Sequence, residues 1–179
     1  MIYLIGGAPR VGKSILSKKL LLEMHIPYVS ADILIHMIKK AAPQTGVTDK
    51  IDFKQKSKMF YPFLEQFVKL ARYDSNNYTI EGDAFLPQEL ELLRQKFEFK
   101  AVFLWTSKIT LKEITDNIGD NDWILSKTKE EQQKIPDYII EKSKIIKDEC
   151  QKFNYPNFDM SLGFDSQLQK AYHTLLDQH

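Results

Sequence analysis

Residues 6–14 read Gly6-Gly7-Ala8-Pro9-Arg10-Val11-Gly12-Lys13-Ser14. This stretch follows an apolar run at residues 2–5 and precedes a helical pattern that begins near Ile15. From Gly7 to Ser14 it matches Gly-x-x-x-x-Gly-Lys-Ser, the Walker A pattern of a phosphate-binding loop between a strand and a helix. The sequence therefore predicts a strand, a phosphate-binding loop and a helix, in that order.

Each fixed position of this loop has a mechanical role around a triphosphate. Glycines let the chain turn sharply and bring backbone N–H groups close to phosphate oxygens, and the start of the helix adds attraction for anions. Lys13 is predicted to reach the β- and γ-phosphates and to act in catalysis, and the Ser14 hydroxyl is predicted to bind Mg²⁺. The predicted nucleotide-binding residues are Gly7, Ala8, Pro9, Arg10, Val11, Gly12, Lys13 and Ser14. The alternative is a glycine-rich turn that binds nothing, and the order of strand, loop, Lys-Ser and helix argues against it.

The length and composition are those of one globular domain. The chain has 179 residues, of which 43% are hydrophobic, and we expect residues 1–179 to form a single domain with a full core. Its 25 basic and 24 acidic residues give a net charge of +1, so nothing favours nonspecific binding to nucleic acid or to an acidic membrane. Small molecules are the expected partners, and the oligomeric state stays open.

The cellular location is predicted from cysteine usage and hydropathy. Cys150 is the only cysteine, which excludes an intramolecular disulfide and a zinc site built from several cysteines, and this fits a reducing compartment. No apolar stretch approaches the roughly 20 residues of a membrane span. The position of the loop, at residue 7, predicts no signal peptide. We therefore expect a cytoplasmic protein.

Apolar runs typical of buried parallel strands alternate with helical periodicity along the chain. The runs lie at residues 2–5, 28–30, 78–80 and 101–105, with a weaker one at 158–161. Helical patterns lie at residues 15–24, 60–71, 87–93, 111–118, 139–153 and 168–176. Pro62 predicts a start or a kink for the second helix, and Gly119 predicts the end of the fourth. The repeated order of strand and helix predicts an α/β fold with a parallel sheet and helices on both faces.

Two segments lack strong periodicity, residues 42–55 and residues 119–136. In an α/β fold such segments are expected to be surface excursions, and excursions near the carboxyl ends of strands are where substrates bind. We therefore predict a substrate cover at residues 42–55 and a lid at residues 119–136. Trp123 is predicted to cover a bound base or to fix the lid in place.

Asp32 is the candidate catalytic base. It follows the second predicted strand directly, so its carboxylate is expected beside the phosphate-binding loop, facing a nucleotide cleft. There it could accept the proton of an attacking hydroxyl group, or orient that hydroxyl by a hydrogen bond. The alternative is that Asp32 caps a helix, because the apolar run at residues 33–35 follows it.

Glu81 and Asp83 are the candidate metal-supporting carboxylates. They flank Gly82 where the third predicted strand emerges toward the same cleft. Mg²⁺ bound to a triphosphate keeps several waters, and a carboxylate at a strand end commonly binds one of them. With Ser14, the predicted metal residues are therefore Glu81 as first choice and Asp83 as second. The alternative is a tight turn at Gly82 with two solvated acids.

Cations near a transferred phosphoryl group would neutralise its developing charge. Three lysines lie in the predicted lid: Lys127, Lys129 and Lys134. A solvated charged face is the alternative for each of them. Arg10, inside the loop, either contacts phosphate or substrate or points into water, and a structural role is the favoured interpretation of Arg72 and Arg94.

Together these residues resemble the small P-loop kinases, the group of nucleoside monophosphate kinases and related kinases of small metabolites such as gluconate and shikimate. The resemblance rests on residues 7–14, on Asp32, and on Ile80-Glu81-Gly82. It implies a three-layer P-loop NTPase fold whose five-stranded parallel sheet has the order 2-3-1-4-5. It also implies a mobile lid, ATP and Mg²⁺ as cofactors, and transfer of the γ-phosphoryl group to a small acceptor.

The chain departs from that pattern at several positions. Ile15 stands where such kinases often have a threonine that contacts the α-phosphate, and Arg10 occupies a loop position that is often glycine. No arginine lies at residues 119–136 or in the stretch after Asp32, where such kinases use arginines to bind phosphates. These departures argue against an ordinary nucleotide kinase. They favour a metabolite whose hydroxyl group is positioned by Asp32.

Two functions are consistent with the sequence. The first is an ATP- and Mg²⁺-dependent phosphotransferase that moves the γ-phosphoryl group to a hydroxyl or phosphate acceptor on a small metabolite. The second is a nucleotide-binding regulatory protein, or a degenerate kinase without acceptor turnover. A switch GTPase is disfavoured, because the chain contains no Asn-Lys-x-Asp guanine motif.

Overall fold

The structure, a computed structural model, describes residues 1–48, 51–73, 77–117 and 124–177. Within these ranges the strands are β1 (Ile2–Gly7), β2 (Tyr28–Ser30), β3 (Tyr78–Gly82), β4 (Lys100–Trp105) and β5 (Asn157–Asp159). The helices are α1 (Lys13–Met24), α2 (Ala31–Ala41), α3 (Phe53–Tyr73), α4 (Pro87–Arg94), α5 (Leu111–Asp116), α6 (Lys129–Gln133), α7 (Ile135–Phe153) and α8 (Phe164–Asp177). Each of these helices is too short or too polar to span a lipid bilayer.

The five strands form one parallel sheet in the order β2-β3-β1-β4-β5. The central strand β1 is fully buried, as its continuous apolar run predicts for a strand covered on both faces. Its register brings Ile5 level with Glu81 of β3 and Gly6 level with Phe103 of β4. The predicted sheet, including its strand order, is confirmed.

The helices cover both faces of the sheet. α1 packs against α8, whereas α4 packs against both α3 and α7. Right-handed crossovers between parallel strands put these two groups on opposite faces. The carboxyl ends of all five strands therefore lie at one edge, and the loops that leave this edge are where an α/β fold builds its site.

Aromatic side chains fill the core on the face of α3, α4 and α7. Phe60, Phe85 and Phe103 are fully buried, and the rings of Phe85 and Phe103 meet edge to face with centroids 6.4 Å apart. The ring of Phe103 lies so close to β1 that a β-carbon at Gly6 would be 2.2 Å from it. Glycine at position 6 is thus required by packing.

Helix α3 begins earlier than predicted. It runs from Phe53 through Pro62 to Tyr73, so the prediction of a start at Pro62 is wrong. Asp52 stabilises the true start, because its Oδ1 accepts the N–H groups of Lys54 and Gln55 at 3.0 and 3.1 Å. Proline removes one helical hydrogen bond, and burial of the apolar side of the helix offsets that loss.

Strand β5 ends earlier than predicted. It closes at Asp159, and residues Met160–Leu162 form a 3₁₀ turn instead of a continuation of the strand to residue 161. The carboxylate of Asp159 causes the turn, because its Oδ1 accepts from the N–H and the hydroxyl of Ser161 at 3.0 and 2.7 Å. It also accepts the N–H of Ser107, which ties the turn to the end of β4.

The two predicted excursions contain short regular elements. Residues 42–55 include a 3₁₀ turn at Pro43–Thr45 and the start of α3, and residues 49–50 lie outside the described ranges. The described part of the predicted lid, residues 124–136, contains α6, whose N-cap is Thr128. Residues 118–123 lie outside the described ranges, and with them the predictions for Gly119 and Trp123.

A buried serine of α3, Ser57, forms hydrogen bonds with α4 and with the residue that precedes it. Ser57 Oγ donates to Glu89 Oε2 at 2.6 Å and accepts the N–H of Leu86 at 2.8 Å. Ser57 has no exposed surface, and burial raises the pKa of Glu89 above its ordinary value. This one hydroxyl therefore satisfies two polar groups that water does not reach.

We expect Ser57→Ala to lower the free energy of unfolding by about 1–3 kcal/mol, the cost of leaving a buried polar group without a partner. The change removes the acceptor of the Leu86 N–H and one donor to Glu89. Urea unfolding measures the effect. Ser166→Ala, at an exposed position in α8, is the control and should change stability by less than about 0.5 kcal/mol. Equal effects of the two substitutions would contradict the assigned role of Ser57.

Candidate active site

A close approach between β1 and β4 fixes the phosphate-binding loop to the sheet. A β-carbon at Gly7 would lie 2.3 Å from the carbonyl oxygen of Leu104, so only glycine fits this position. The next residue, Ala8, donates its N–H to the same oxygen at 3.1 Å. The chain therefore leaves β1 in one defined direction, toward the start of α1.

Left-handed backbone at the end of the loop turns the chain into α1. Gly12 has φ = +94°, and a β-carbon there would lie 2.8 Å from the ring of Phe164, so the position needs glycine for both conformation and space. Lys13 begins the helix, is buried, and donates from Nζ to the carbonyl oxygen of Ala8 at 2.7 Å. The loop thus combines an ammonium group with the unpaired N–H groups at a helix start, which together attract phosphate.

Ser14 and Glu81 bring two oxygen groups side by side. Ser14 Oγ donates to Glu81 Oε1 at 3.2 Å, and Glu81 is buried near the carboxyl end of β3. A hydroxyl and a carboxylate suit Mg²⁺, which prefers oxygen ligands and keeps several waters. The described ranges contain no group of three or more His, Cys, Asp or Glu side chains that could hold a metal ion. Phosphate and water oxygens would therefore have to supply the remaining ligands.

Ser30, and not Asp32, caps helix α2. Ser30 Oγ accepts the N–H of Asp32 at 3.3 Å, so the alternative interpretation of Asp32 as the cap is wrong. A cap residue keeps an extended backbone, as Ser30 does, whereas Asp32 already lies in the first turn of the helix. The carboxylate of Asp32 is therefore not needed at the helix start.

Asp32 is exposed, and its carboxyl group lies within electrostatic range of Lys13, Lys56, Glu81 and Asp83. We call the space among these five side chains the recess. Desolvation in this recess, followed by repulsion from Asp83, raises the pKa of Asp32 above its ordinary value of 3.8. Lys13 and Lys56 act in the opposite direction. A raised pKa makes an ionised carboxylate a stronger proton acceptor, which suits a general base.

A buried lysine pairs with Asp83. Lys56 Nζ lies 2.6 Å from Asp83 Oδ1, and both residues are buried. Glu81 and Asp83 thus have different partners, Ser14 and Lys56 respectively, and the alternative that both acids are solvated is wrong. Glu81 faces the phosphate-binding loop, whereas Asp83 faces α3.

No family model and no curated protein sequence matches the chain. Among solved structures, a shikimate kinase from Bacteroides thetaiotaomicron superimposes with a TM-score of 0.58 and 15% identity, covering 99% of this chain and 97% of that chain. A gluconokinase from Sinorhizobium meliloti 1021 superimposes with a TM-score of 0.56 and 13% identity, covering 97% of this chain and 90% of that chain.

The chain has the fold of the small P-loop kinases. At 13–15% identity the similarity concerns the fold, and it agrees with the strand order and with the loop between β1 and α1. The resemblance inferred from residues 7–14, Asp32 and residues 80–82 is confirmed at that level.

The described part of the predicted lid, residues 124–136, contains lysines and no arginine. Lys127, Lys129 and Lys134 are all exposed. Nothing in the described ranges brings them to the recess, and a solvated charged face explains each of them.

Two of the three arginines have structural roles, as expected. Arg72 donates to the carbonyl oxygen of Glu98 at 3.1 Å, and the guanidinium of Arg94 lies 4.4 Å from the ring centroid of Tyr155. Arg10 lies within the loop with φ = +64°, and desolvation lowers the pKa of its guanidinium.

No sequence motif predicts that two lysines, Lys56 and Lys142, lie near Asp83. Each lies three residues after a buried residue of an amphipathic helix, Phe53 in α3 and Ile139 in α7. The amino-terminal ends of α3 and α7 lie at the carboxyl edge of the sheet, where an α/β fold builds its site. A lysine on the core-facing side of such a helix, near its start, is the sequence signal that could have predicted both residues.

We expect Asp32→Asn to raise the melting temperature of the ligand-free protein at neutral pH by a few degrees. Because the pKa of Asp32 is raised above 3.8 by folding, the native state binds this proton more tightly than the unfolded chain does, and ionisation of Asp32 costs stability. The gain should shrink as the pH falls through the raised pKa of the native state and should vanish below 3.8, where both states carry the proton. Thermal unfolding from mildly acidic to neutral pH measures it.

The matched control is Asp148→Asn, at an exposed position of α7. It should not reproduce the pH-dependent gain. A melting temperature of Asp32→Asn at or below that of the unchanged protein at neutral pH would show that the recess does not disfavour the charged carboxylate.

Proposed function

We propose that the protein is an ATP- and Mg²⁺-dependent phosphotransferase that moves the γ-phosphoryl group to a hydroxyl or phosphate acceptor on a small metabolite. The observation that carries this proposal is the convergence of four groups at one edge of the sheet: Lys13, Ser14, Asp32 and Glu81. Two fold neighbours, a shikimate kinase and a gluconokinase by name, support the same class of function.

On the nucleotide side, the loop at residues 7–14 would bind the triphosphate through its backbone N–H groups and Lys13. Ser14 and Glu81 are the residues that would hold Mg²⁺, and Asp83 is the weaker candidate because Lys56 occupies one of its oxygens. When bound, ATP and Mg²⁺ supply the transferable phosphoryl group and neutralise its charge. The protein contributes orientation and electrostatic stabilisation.

On the acceptor side, Asp32 would accept the proton of the attacking hydroxyl group. The raised pKa of Asp32 supports this role, because it makes the ionised carboxylate a stronger proton acceptor, and Lys13 and Lys56 act against the rise. A phosphate acceptor needs no base of this kind. The environment of Asp32 therefore favours a hydroxyl acceptor over a phosphate.

A nucleotide-binding regulatory protein, or a degenerate kinase, is the competing proposal. It is motivated by the absence of arginine from residues 119–136 and by Ile15 after Ser14. Under this proposal ATP binds, but no acceptor is phosphorylated and Asp32 has no chemical role.

ADP release across a panel of hydroxyl metabolites, nucleosides and nucleotides tests these proposals. We expect Lys13→Ala to lower kcat/KM at least about 100-fold, the effect of removing a group that stabilises charge in the transition state. We expect Asp32→Ala to lower kcat about 10²- to 10⁴-fold by loss of the base, with nucleotide affinity unchanged. Lys18→Ala, on the exposed side of α1, is the control and should behave as the unchanged protein.

Calorimetry with ATP and Mg²⁺ separates the outcomes. Nucleotide binding without acceptor-dependent ADP release, and with no effect of Asp32→Ala, would favour the regulatory protein. Absence of any binding heat at saturating nucleotide would refute both proposals.

A further inference from the structure

The side of the recess that faces α3 contains a buried ion pair. Lys56 Nζ lies 2.6 Å from Asp83 Oδ1, and less than a tenth of either residue is exposed. Lys56 belongs to α3, whereas Asp83 directly follows β3. Two opposite charges at this distance cancel each other's field over a few ångströms, so the paired ammonium group attracts a further anion only weakly.

Lys13 and Glu81 lie on the opposite side of the recess, toward the phosphate-binding loop. Lys13 begins α1, and Glu81 Oε1 accepts from Ser14 Oγ at 3.2 Å. Under the proposed function, Lys13 would bind phosphate and Glu81 would support Mg²⁺. The charged side chains of the recess that remain for the acceptor are then Asp32, Lys56 and Asp83. Two carboxylates and one ammonium group give this side a net charge of −1 when all three are ionised.

A groove between α3 and α7 adds no surplus of positive charge. Its volume is about 490 Å³, and Lys142 in its wall lies within electrostatic range of both Lys56 and Asp83. The charged side chains among its described wall residues are Asp52, Lys54, Glu141 and Lys142. Lys54 also pairs with an acid outside this wall, since its Nζ lies 3.5 Å from Glu149 Oε1. An acceptor that extends from the recess into the groove therefore meets balanced charges.

This arrangement disfavours an acceptor with a negative charge. Proton transfer requires the acceptor hydroxyl within hydrogen-bond distance of the Asp32 carboxylate. On a small molecule, a carboxylate or phosphate group would then also lie near Asp32 and Asp83, where partial burial weakens the screening of like charges. Repulsion of this kind selects among ligands as effectively as attraction does. An uncharged acceptor avoids it, and its hydroxyl groups can donate to the carboxylates.

We infer that Asp83 determines the class of acceptor: because it neutralises Lys56, the site accepts an uncharged polyhydroxy compound and rejects carboxylates and phosphates. The inference rests on the proposed function for the place of the acceptor. Asp83 acts here as a specificity-determining residue, and Lys56 is the cation that it withholds from an anionic ligand.

Matched ligands test the preference with the unchanged protein. The probes are glycerol with D-glycerate and glycerol 3-phosphate, D-glucose with D-gluconate and glucose 6-phosphate, and uridine with uridine 5′-monophosphate. Calorimetry in the presence of Mg²⁺ and a non-hydrolysable ATP analogue measures their affinities. We expect at least one neutral compound to bind, and its anionic counterparts to bind at least about tenfold more weakly, the effect of like charges brought together.

Variants of the ion pair assign that preference to Asp83. Asp83→Asn keeps the shape of the side chain and leaves Lys56 without its counter-ion, so it should strengthen the binding of the anionic compounds at least about tenfold. The double substitution Lys56→Gln with Asp83→Asn removes both charges and should not show this gain. Asp148→Asn makes the same change of charge at an exposed position of α7, and it should retain the preference of the unchanged protein.

Sulfate is a probe that does not depend on the identity of the acceptor. With Mg²⁺ and the ATP analogue bound, sulfate should bind to Asp83→Asn at least about tenfold more tightly than to the unchanged protein or to the double variant. Circular dichroism confirms the fold of each variant. The comparison of matched ligands with the unchanged protein remains decisive if Asp83→Asn does not fold.

The outcomes separate this inference from the proposed function. Equal affinities of neutral and anionic counterparts, tighter binding of an anionic one, absence of binding by every neutral compound, or no gain for anions in Asp83→Asn would each overturn the inference. ADP release that is equally fast with neutral and anionic acceptors would support the phosphotransferase and overturn the role of Asp83. Selective binding of neutral compounds that depends on Asp83, without ADP release, would support that role and contradict the phosphotransferase.

Discussion

The backbone of Gly7 passes so close to the carbonyl group of Leu104 that a β-carbon at position 7 would lie 2.3 Å from that oxygen. This contact is made between the ends of the two central strands, and the N–H of Ala8 binds the same oxygen. It sets the direction of the loop and hence the place where α1 begins with Lys13. Each other feature of the site is positioned relative to this point.

The recess contains three acidic and two basic side chains. Asp32, Glu81 and Asp83 would repel one another in a desolvated space, but Lys13 and Lys56 lie among them. Desolvation, followed by repulsion from Asp83, still raises the pKa of Asp32. A raised pKa is what the proposed role of Asp32 as a general base requires, since it gives the carboxylate a higher affinity for a proton.

The sequence predicts those parts of the fold and site that depend on local order. Patterns within a few residues predict the strand, loop and helix at residues 2–24 and the proline-started helix α4. They also predict the end of β2 at Ser30 and the emergence of β3 at Glu81 and Gly82. The parts that depend on tertiary contacts do not. Pro62 lies inside α3 because burial of that helix outweighs a lost hydrogen bond, and β5 stops because Asp159 turns back to bind Ser161. Lys56 and Lys142 approach Asp83 only after α3 and α7 have packed on the same face of the sheet.

Lys56 and Ser57 are consecutive residues in the first turns of α3, and they face different partners. Lys56 reaches Asp83 in the recess, while Ser57 binds Glu89 and Leu86 in the interior. The part of α3 that contributes Lys56 to the recess is therefore also held to α4 by the hydrogen bonds of Ser57. A molecule that enters meets a preorganised surface and loses little conformational entropy of the protein there. Under the proposed function, selectivity on that side would come from shape and fixed charge.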